Sequence, residues 1–334
     1  MSGREFYAQD ASARASWRLA VLMGANSRTY KFALGQALLE FGRTGREEIP
    51  LAELAAAYSL GLVHHLAQDP QAPQTVELGE KDFLTVAEQE RAATLQVGRP
   101  TERLLAAAVR SMPMMVMQKF HNLRGETAVP HTFYELTGTG RQRVVRLTPH
   151  LLRLAQSEQA PVLAAELGAR WSIVESSFAA SVGRSLVEDG VTVDWDTLKI
   201  TDKRRRRSVT GIVDATVGFQ HGRCLICGDV LAPGEAIAVD HVFPFSLMRR
   251  FDSVGSWNGP DLDALWNLAP AHATCNGSKS DRLPTPAELV RLAARNDAIT
   301  QSPHPLRRTL QLSLKHALPA PSWTEFLGAV QTAF

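Results

Sequence analysis

Four residues in the second half of the chain have the types and spacing of a zinc site. Cys224 and Cys227 are separated by two residues, and His272 and Cys275 repeat that spacing. Such pairs can turn two side chains toward one ion, and three cysteines with one histidine form a recognised structural zinc set. Gly228 follows the first pair and suits the positive φ that such turns often need. The alternative, ordinary buried cysteines with a surface histidine, does not explain the repeated spacing.

A second group of residues inside this frame could hold a catalytic metal ion. The β-type run Ala236–Val239 ends in Asp240 and His241, which places an acid and a base at the edge of a loop. The Asp240 carboxylate and the Asn276 amide offer oxygen ligands, which Mg²⁺ or Mn²⁺ prefers. A neutral His241 can take a proton from water, and Asn267 is placed to fix the loop that carries His241. Taken singly, these residues are typical of loop ends, turns and caps, but together they could hydrolyse a phosphodiester bond.

Short elements around these residues carry a resemblance to a known family. Asp240–Ser246 resembles a D-H-x-x-P-x-S element, Asn267–Leu268 an N-L element, and Cys275–Ser280 a C-N-x-x-K element. Gln220–Cys224 resembles the lead-in that precedes the first zinc pair. With these elements, the stretch from Arg204 to Pro284 resembles an HNH endonuclease of the ββα-metal superfamily, in its zinc-framed HNN-type variant.

The resemblance implies two antiparallel strands followed by a helix, with one divalent metal ion in the cleft. It implies that His241 is the general base and that Asp240 and Asn276 hold the catalytic metal ion. Asn267 would be the middle asparagine of the motif, and Lys279 would meet a substrate phosphate from the helix. Two departures from the family pattern stand out. The last motif letter is asparagine rather than histidine, and one zinc ligand is a histidine where cysteine is commoner.

Basic residues near these elements could contact a phosphate backbone. The strongest charge run in the chain consists of Lys203, Arg204, Arg205, Arg206 and Arg207. Further candidates near the catalytic elements are Arg249, Arg250 and Arg282. Contacts of this kind give an affinity that falls with salt and no base readout. A solvated face or a linker explains the charge run equally well. The net charge of +2 provides no global nucleic-acid signature, so binding must come from local patches.

The first half of the chain is predicted to be mostly helical. Apolar residues recur at helical spacing in Ser16–Met23, Ser27–Phe41, Leu51–Leu66, Glu102–Phe120 and Pro161–Ala180. A β-hairpin is predicted from Thr132–Leu136 and Arg143–Leu147. This half contains no catalytic motif.

The second half is predicted to enclose the metal sites between helices. Ser208–Phe219 reads as a helix that leads into the first cysteine pair, and a helix start is predicted at Thr285 with Pro286 and Glu288. Helices of the C-terminal tail are predicted in Pro286–Asn296, Pro305–Ala317 and Ser322–Phe334.

The predicted fold class is α+β. A mainly α-helical N-terminal domain spans residues 1–190, and a basic linker spans residues 191–207. A zinc-stabilised ββα-metal domain spans residues 208–284, and a helical C-terminal extension spans residues 285–334.

The composition is that of an ordinary soluble globular protein. Of the 334 residues, 45% are hydrophobic and 21% are charged. Apolar runs are broken by charge before they reach the length of a membrane span, and the first six residues lack the apolar core of a signal peptide. We therefore expect a cytoplasmic protein that does not contact a membrane. Three cysteines in a cytosolic chain favour metal ligation over disulfides.

These observations predict a metal-dependent endonuclease that hydrolyses phosphodiester bonds of nucleic acid, with double-stranded DNA as the expected substrate. Zn²⁺ would be structural, and Mg²⁺ or Mn²⁺ catalytic. One alternative is a catalytically silent zinc module that binds DNA or a protein, and another is an RNA-cleaving enzyme of the same family. The helical half would choose the target, bind a protein partner or form a homodimer. Restriction, antiviral defence against phage and mobile elements are settings that suit such an enzyme.

Overall fold

A computed structural model describes most of the chain as two compact units. The described residues are 6, 8–24, 28–73, 76–123, 128–179, 191–194, 199–202, 207–247, 259–303, 305–316 and 320–334. Tyr7–Gly183 form one unit, called here the helical unit. Arg184–Phe334 together with Met1–Phe6 form the other, called here the C-terminal unit. The structure mixes helices with small sheets, and within the described residues no helix is both long and apolar enough to span a membrane.

The helical unit contains several helices and one three-stranded antiparallel sheet. Its helices are α1 (Ala13–Arg18), α2 (Tyr30–Arg43), α3 (Leu51–Leu66), α4 (Phe83–Val97), α5 (Glu102–Met115), α6 (Pro149–Ala155) and α7 (Ala160–Ala179). Its strands are β1 (Glu48–Pro50), β2 (Tyr134–Thr137) and β3 (Val144–Leu147), in the order β1-β3-β2. The predicted hairpin is therefore confirmed as β2 and β3, and β1 extends it.

Local capping explains where several of these helices begin. The side chains of Asp82, Thr101 and Thr148 accept backbone N–H groups at the starts of α4, α5 and α6. These N–H groups have no partner within the helix, so the caps stabilise the helix ends. Helix α5 ends at Met115, earlier than predicted, and the chain continues as the 3-10 turn Met117–Lys119.

The C-terminal unit begins with a small sheet and continues into the metal-site region. The antiparallel strands of this sheet are β4 (Val191–Asp194), β5 (Lys199–Asp202) and β6 (Arg207–Gly211), in the order β4-β5-β6. The next elements are α8 (Ile212–Thr216), a 3-10 turn (Val217–Gln220), β7 (Ile237–His241), a second 3-10 turn (Leu265–Asn267), β8 (Leu268–His272) and α9 (Ala273–Lys279).

The helix predicted over Ser208–Phe219 begins only at Ile212. Its first residues belong instead to β6, in which Ser208 pairs with Thr201 and Thr210 pairs with Ile200. β-branched residues favour a strand where a neighbouring strand completes the ladder. The helical prediction for these residues was therefore wrong, because it considered only local periodicity.

The tail consists of helices α10 (Pro286–Gln301), α11 (Leu306–His316) and α12 (Trp323–Thr332). The predicted start of α10 is confirmed, with Thr285 and Glu288 forming a reciprocal capping box. In α12, Phe326 is fully buried, and its ring lies 5.0 Å from the ring of Trp266. The tail thus packs against the turn that precedes β8 and shares a core with the strands.

Candidate metal centre and hydrolytic site

The ribbon formed by β7 and β8 places the two predicted metal sites at its opposite ends. The strands are antiparallel, with His241 opposite Leu268 and Ile237 opposite His272. Four residues of a strand span about 13 Å, so the ends are well separated. Helix α9 starts directly after His272 and packs against both strands, and its last residue, Lys279, contacts Asp240. The strand–strand–helix order implied by the family resemblance is therefore present.

Cys224, Cys227, His272 and Cys275 converge at one end of the ribbon. Their ligand atoms all lie within 4.8 Å of one another. The His272 Nδ1 atom is 3.5 Å from the sulfur of Cys227 and 3.7 Å from that of Cys275. In a tetrahedral zinc site, sulfur at about 2.3 Å and nitrogen at about 2.1 Å from the metal lie about 3.6 Å apart. The residues therefore fit a zinc ion.

The opposite ring nitrogen of His272 is oriented by oxygen atoms. Its Nε2 atom lies 3.2 Å from a carboxylate oxygen of Glu235 and 3.3 Å from the carbonyl oxygen of Val230. Both oxygens accept a hydrogen bond, which assigns a proton to Nε2 and turns Nδ1 toward the sulfurs. The backbone N–H of His272 also points at the sulfur of Cys224, 3.4 Å away. This arrangement suits a metal ligand better than a surface histidine.

The turn between the first two cysteines is tied to its surroundings. Gly228 has φ of +85°, as predicted, and its N–H donates to the carbonyl of Cys224. From α10, the Arg291 guanidinium donates to the carbonyls of Leu225 and Ile226, both at 2.5 Å. The zinc turn is thus held by a helix that lies outside the predicted nuclease segment.

The three thiols of the cluster differ in acidity, because burial opposes ionisation of each, whereas N–H groups of Cys227, His272 and Ile226 leave the pKa of Cys224 below its ordinary value. Desolvation and the neighbouring Cys224 thiol raise the pKa of Cys227 to about 12, although the N–H of Asp229 opposes the shift. Desolvation also raises the pKa of Cys275. A divalent cation opposes the effect of burial, because only the thiolate is a good metal ligand.

At the other end of the ribbon, Asp240 is buried, and its two carboxylate oxygens have different surroundings. Its side chain is only 3% exposed, and its Oδ1 atom accepts a hydrogen bond of 3.0 Å from Lys279. Its Oδ2 atom has no hydrogen-bond partner in the part of the chain that the structure describes. Burial raises the pKa of Asp240, and the Lys279 ammonium opposes that shift. An unpaired buried carboxylate oxygen is a position that a hard cation would satisfy.

Lys279, the last residue of α9, contacts two residues of β7. Its side chain is fully buried, and its ammonium group donates to Asp240 and, at 2.9 Å, to the carbonyl of His241. Helix α9 lies along the ribbon, so a lysine at this position points inward rather than toward solvent. In this structure Lys279 balances the charge of Asp240, and its contact with a substrate phosphate stays a prediction.

Asn276 lies one helical turn before Lys279. Residues three apart lie on the same face of a helix, so Asn276 is on the face of α9 that meets β7. Its side-chain amide is half-buried and makes no hydrogen bond to any described residue. An amide oxygen on this face of α9 suits the predicted oxygen-ligand set.

His241 is paired with a carboxylate that motif reasoning missed. Its Nε2 atom lies 2.8 Å from Oδ1 of Asp263, and both side chains are about one-quarter to one-third exposed. Because the carboxylate accepts, the neutral imidazole carries its proton on Nε2 and its basic lone pair on Nδ1. The acidic pair Asp261 and Asp263, just before Asn267, was the available sequence signal.

Asn267 is fully buried and fixes the turn after His241. Its side-chain oxygen accepts from the N–H of Phe243 at 2.8 Å, and its amide donates to the carbonyls of Phe243 and Leu262. Its backbone carbonyl also accepts from the N–H of Val242. These bonds use both N–H donors and one acceptor site of the Oδ1 atom, so the Asn267 side chain holds the backbone of the turn in place.

The chain matches no protein-family model, no curated protein and no solved structure. Its chemistry must therefore be inferred from the side chains themselves.

The basic residues predicted to meet a phosphate backbone fall into two groups. Lys203, Arg204, Arg205, Arg206, Arg249 and Arg250 lie outside the described residues. Arg207 is the first residue of β6 and pairs in register with Asp202. The Arg282 guanidinium, 42% exposed, forms a two-pronged ion pair with Glu288. A phosphate contact by Arg282 would have to compete with that carboxylate.

Proposed function

We propose that this chain is a zinc-framed, metal-dependent endonuclease of the HNH type that hydrolyses phosphodiester bonds of nucleic acid. The observation that carries the proposal is the pairing of two unlike groups at one end of the ribbon. One is the Asp263-oriented imidazole of His241, and the other is the half-satisfied, buried carboxylate of Asp240. A Cys₃His frame at the opposite end holds the helix that completes this site. A purely structural zinc module has no need for this polar end.

His241 would act as the general base. Asp263 holds the proton on Nε2, so that Nδ1 can accept a proton from water as the water oxygen attacks phosphorus. The imidazolium that forms is stabilised by the Asp263 carboxylate, which stays ionised. The bond from phosphorus to the 3′ oxygen then breaks, and that oxygen must be stabilised as it leaves.

Asp240 and Asn276 would hold Mg²⁺ or Mn²⁺. Such an ion, when bound, neutralises charge on the scissile phosphate and on the leaving oxygen. Lys279 favours the ionised form of Asp240 in its buried position and occupies one of its oxygens, so that the other oxygen would be left to hold the ion. Asn267 holds the backbone after His241, which sets the direction of the imidazole relative to the carboxylate.

Plasmid nicking by the purified protein with Mg²⁺ or Mn²⁺ tests this function. We expect His241→Ala to lower the nicking rate by about 10²–10⁴-fold, the usual contribution of a general base. Folding should persist, because His241 does not contact the zinc cluster. His64→Ala, which changes an exposed histidine of α3, is the matched control and should cleave normally. Undiminished cleavage by His241→Ala would contradict the proposed role of His241 as general base.

Double-stranded DNA is the proposed substrate, and RNA is the competing one. Hydrolysis by an activated water needs no 2′-hydroxyl, so the reaction itself is compatible with both polymers. Parallel digests of DNA and RNA of the same sequence, at one salt concentration, separate the two. Binding of either polymer without cleavage under any divalent ion would instead identify a silent binding module.

A further inference from the structure

The helical unit contains a cavity lined by cationic and imidazole side chains. Its volume is about 410 Å³, and Arg14, His131, His150 and Arg153 line it together with small and apolar residues. Ligand sites in proteins commonly occupy about 300–1,000 Å³, so the cavity has the size of a small-molecule site. It plays no part in the chemistry proposed for the C-terminal unit.

Three separate segments bring these side chains together. Arg14 lies in the first turn of α1, and His131 precedes β2. His150 and Arg153 lie three residues apart on α6, which places them on one face of that helix. Because residues distant in sequence supply the lining, no local motif could have revealed the cavity.

Hydrogen bonds within the cavity determine which atoms can donate. The Arg153 guanidinium lies 3.3 Å from Nδ1 of His150, and a guanidinium can only donate. In this contact Nδ1 of His150 accepts, which leaves Nε2–H as the donor of that ring. The rings of His131 and His150 lie edge to face, 4.6 Å apart, and Nδ1 of His131 lies 2.9 Å from the hydroxyl of Ser16.

Among the described residues, no aspartate or glutamate lines the cavity, and Arg14 forms no ion pair with any of them. Elsewhere in the same unit, arginines do have acidic partners, such as Arg18 with Glu166. Burial lowers the pKa of His131, and the positive charge of Arg153 adds to this shift. A bound anion would offset this concentration of positive charge.

We propose that this cavity binds a phosphate group. The guanidinium groups of Arg14 and Arg153 carry about five N–H donors each, and with the Nε2–H of His150 they exceed the roughly four acceptor sites of a carboxylate. A phosphate has three strongly accepting oxygens and suits arginine forks. The group could belong to a nucleoside phosphate or to a polynucleotide backbone, and both present the same chemistry to these donors. The proposal does not depend on nuclease activity.

Binding measurements on the full-length protein test the site. The probes are inorganic phosphate, a nucleoside monophosphate and a short DNA duplex, all in the His241→Ala background so that the duplex stays intact. The variant is Arg14→Gln with Arg153→Gln, and the matched control is Arg99→Gln, which changes an exposed arginine of the same unit.

We expect the double variant to bind at least one phosphate probe about tenfold more weakly than the control. A nucleotide source predicts weakened monophosphate binding with unchanged DNA affinity. A backbone source predicts weakened DNA binding, with the slope of log affinity against log salt reduced by about one. Either result supports the phosphate site. Equal affinities of variant and control for all three probes would overturn it.

A second measurement does not depend on the folding of the double variant. In protein that retains Arg14 and Arg153, phosphate or duplex should shift the imidazole ¹H–¹⁵N resonances of His131 and His150. The resonances of His64 provide the internal control. An absence of shifts at His131 and His150 with all three probes at saturation would also overturn the proposal.

Discussion

Two carboxylates near one end of the β7–β8 ribbon are suited to different roles because their surroundings differ. Asp240 is buried, has one oxygen on Lys279 and leaves the other without a partner, which suits a cation. Asp263 is 30% exposed and binds the Nε2–H of His241, which suits orientation of a base. The same functional group can thus hold a metal or tune a histidine, and burial decides between these roles.

Asp263→Asn should slow nicking without weakening DNA binding. The substitution preserves size but removes the charge that stabilises the imidazolium, and its amide can reverse the tautomer of His241. We expect kcat to fall by about 10–100-fold, as for other residues that orient a functional histidine, with KM unchanged. Rates at saturating DNA and a separate binding isotherm resolve the two parameters. A fall in affinity with an unchanged kcat would assign Asp263 to substrate binding instead.

Lys31 makes the stability of the helical unit depend on pH. Burial, reinforced by the charge of Arg170, lowers the pKa of Lys31 to about 8. The unfolded chain, with an ordinary lysine pKa near about 10.4, therefore binds more protons between these two values. The free energy of unfolding must therefore rise with pH between these two values. The unfolded state binds the extra proton, so a lower pH in this window favours unfolding.

Lys31→Met should abolish this rise and stabilise the unit at neutral pH. The expected gain at pH 7 is about 1–3 kcal/mol, from roughly 1.4 kcal/mol per unit of pKa shift, less the lost bond to the carbonyl of Ala20. Urea unfolding at pH 7 and at about pH 10 measures both effects. Lys119→Met, at an exposed lysine, is the control and should behave like the wild type. If the free energy of unfolding of Lys31→Met rose with pH as much as that of the wild type, this interpretation would be refuted.

At the scale of elements, α10 braces both ends of the site. Arg291 and Arg295 lie four residues apart and therefore on one face of the helix. Arg291 donates to the carbonyls of the zinc turn, and Arg295 donates to those of Leu268 and Trp266, at 2.8 and 3.0 Å. The turn that Arg295 holds contains Asn267. A helix beyond the family-like segment thus orients the frame and the loop together.

Arg295→Met should destabilise the C-terminal unit and slow nicking. It removes donors from the buried carbonyls of Leu268 and Trp266, of which that of Trp266 keeps a hydrogen bond from Asn296, and a buried carbonyl left unpaired costs about 1–3 kcal/mol. Loosening of the Asn267 turn should also lower the nicking rate at least tenfold, because misplaced catalytic groups react slowly. Val290→Ala, at a residue of the same helix that is 67% exposed, is the control and should change stability by less than about 0.5 kcal/mol. Wild-type stability and nicking rate in Arg295→Met would show that α10 does not stabilise the turn that contains Asn267.

At the scale of the whole molecule, the two compact units have different sources of stability. The helical unit is built around buried side chains such as Trp17, Phe32 and Leu54 and contains no predicted metal ligand. The C-terminal unit has a core of its own around Trp266 and Phe326, but its ribbon and α9 are joined through the Cys₃His cluster. Structural zinc contributes folding free energy directly, so loss of zinc should affect one unit selectively.

Removal of zinc should therefore unfold the site while the helical unit persists. After chelation, amide protons in β7, β8 and α9 should exchange at least about tenfold faster, whereas those in α2 and α3 should keep their protection. Cys224→Ala should have the same effect without a chelator, and added Zn²⁺ should restore only the wild type. Full zinc content and unchanged protection in Cys224→Ala would contradict a structural role for the cluster.

Much of the site could be predicted because its information is local. The C-x-x-C and H-x-x-C spacings, the positive φ at Gly228 and the capping box at Thr285 depend on residues a few positions apart. The same is true of a strand that ends in Asp240 and His241. The prediction of a helix over Ser208–Phe219 was wrong for the residues before Ile212, because their pairing with β5, a contact outside the local sequence, outweighed the local pattern.

The sequence by itself determined the zinc ligand set, the candidate base and acid, and the order of strand, strand and helix. The tertiary structure alone decided which charges meet. Lys279 reaches Asp240 across 39 positions, and Asp263 reaches His241 across 22. Ribbon register and the path of α9 set these pairings, and burial sets their strength. Such long-range contacts leave no periodicity or spacing in the chain, because they arise only when distant segments exclude water together.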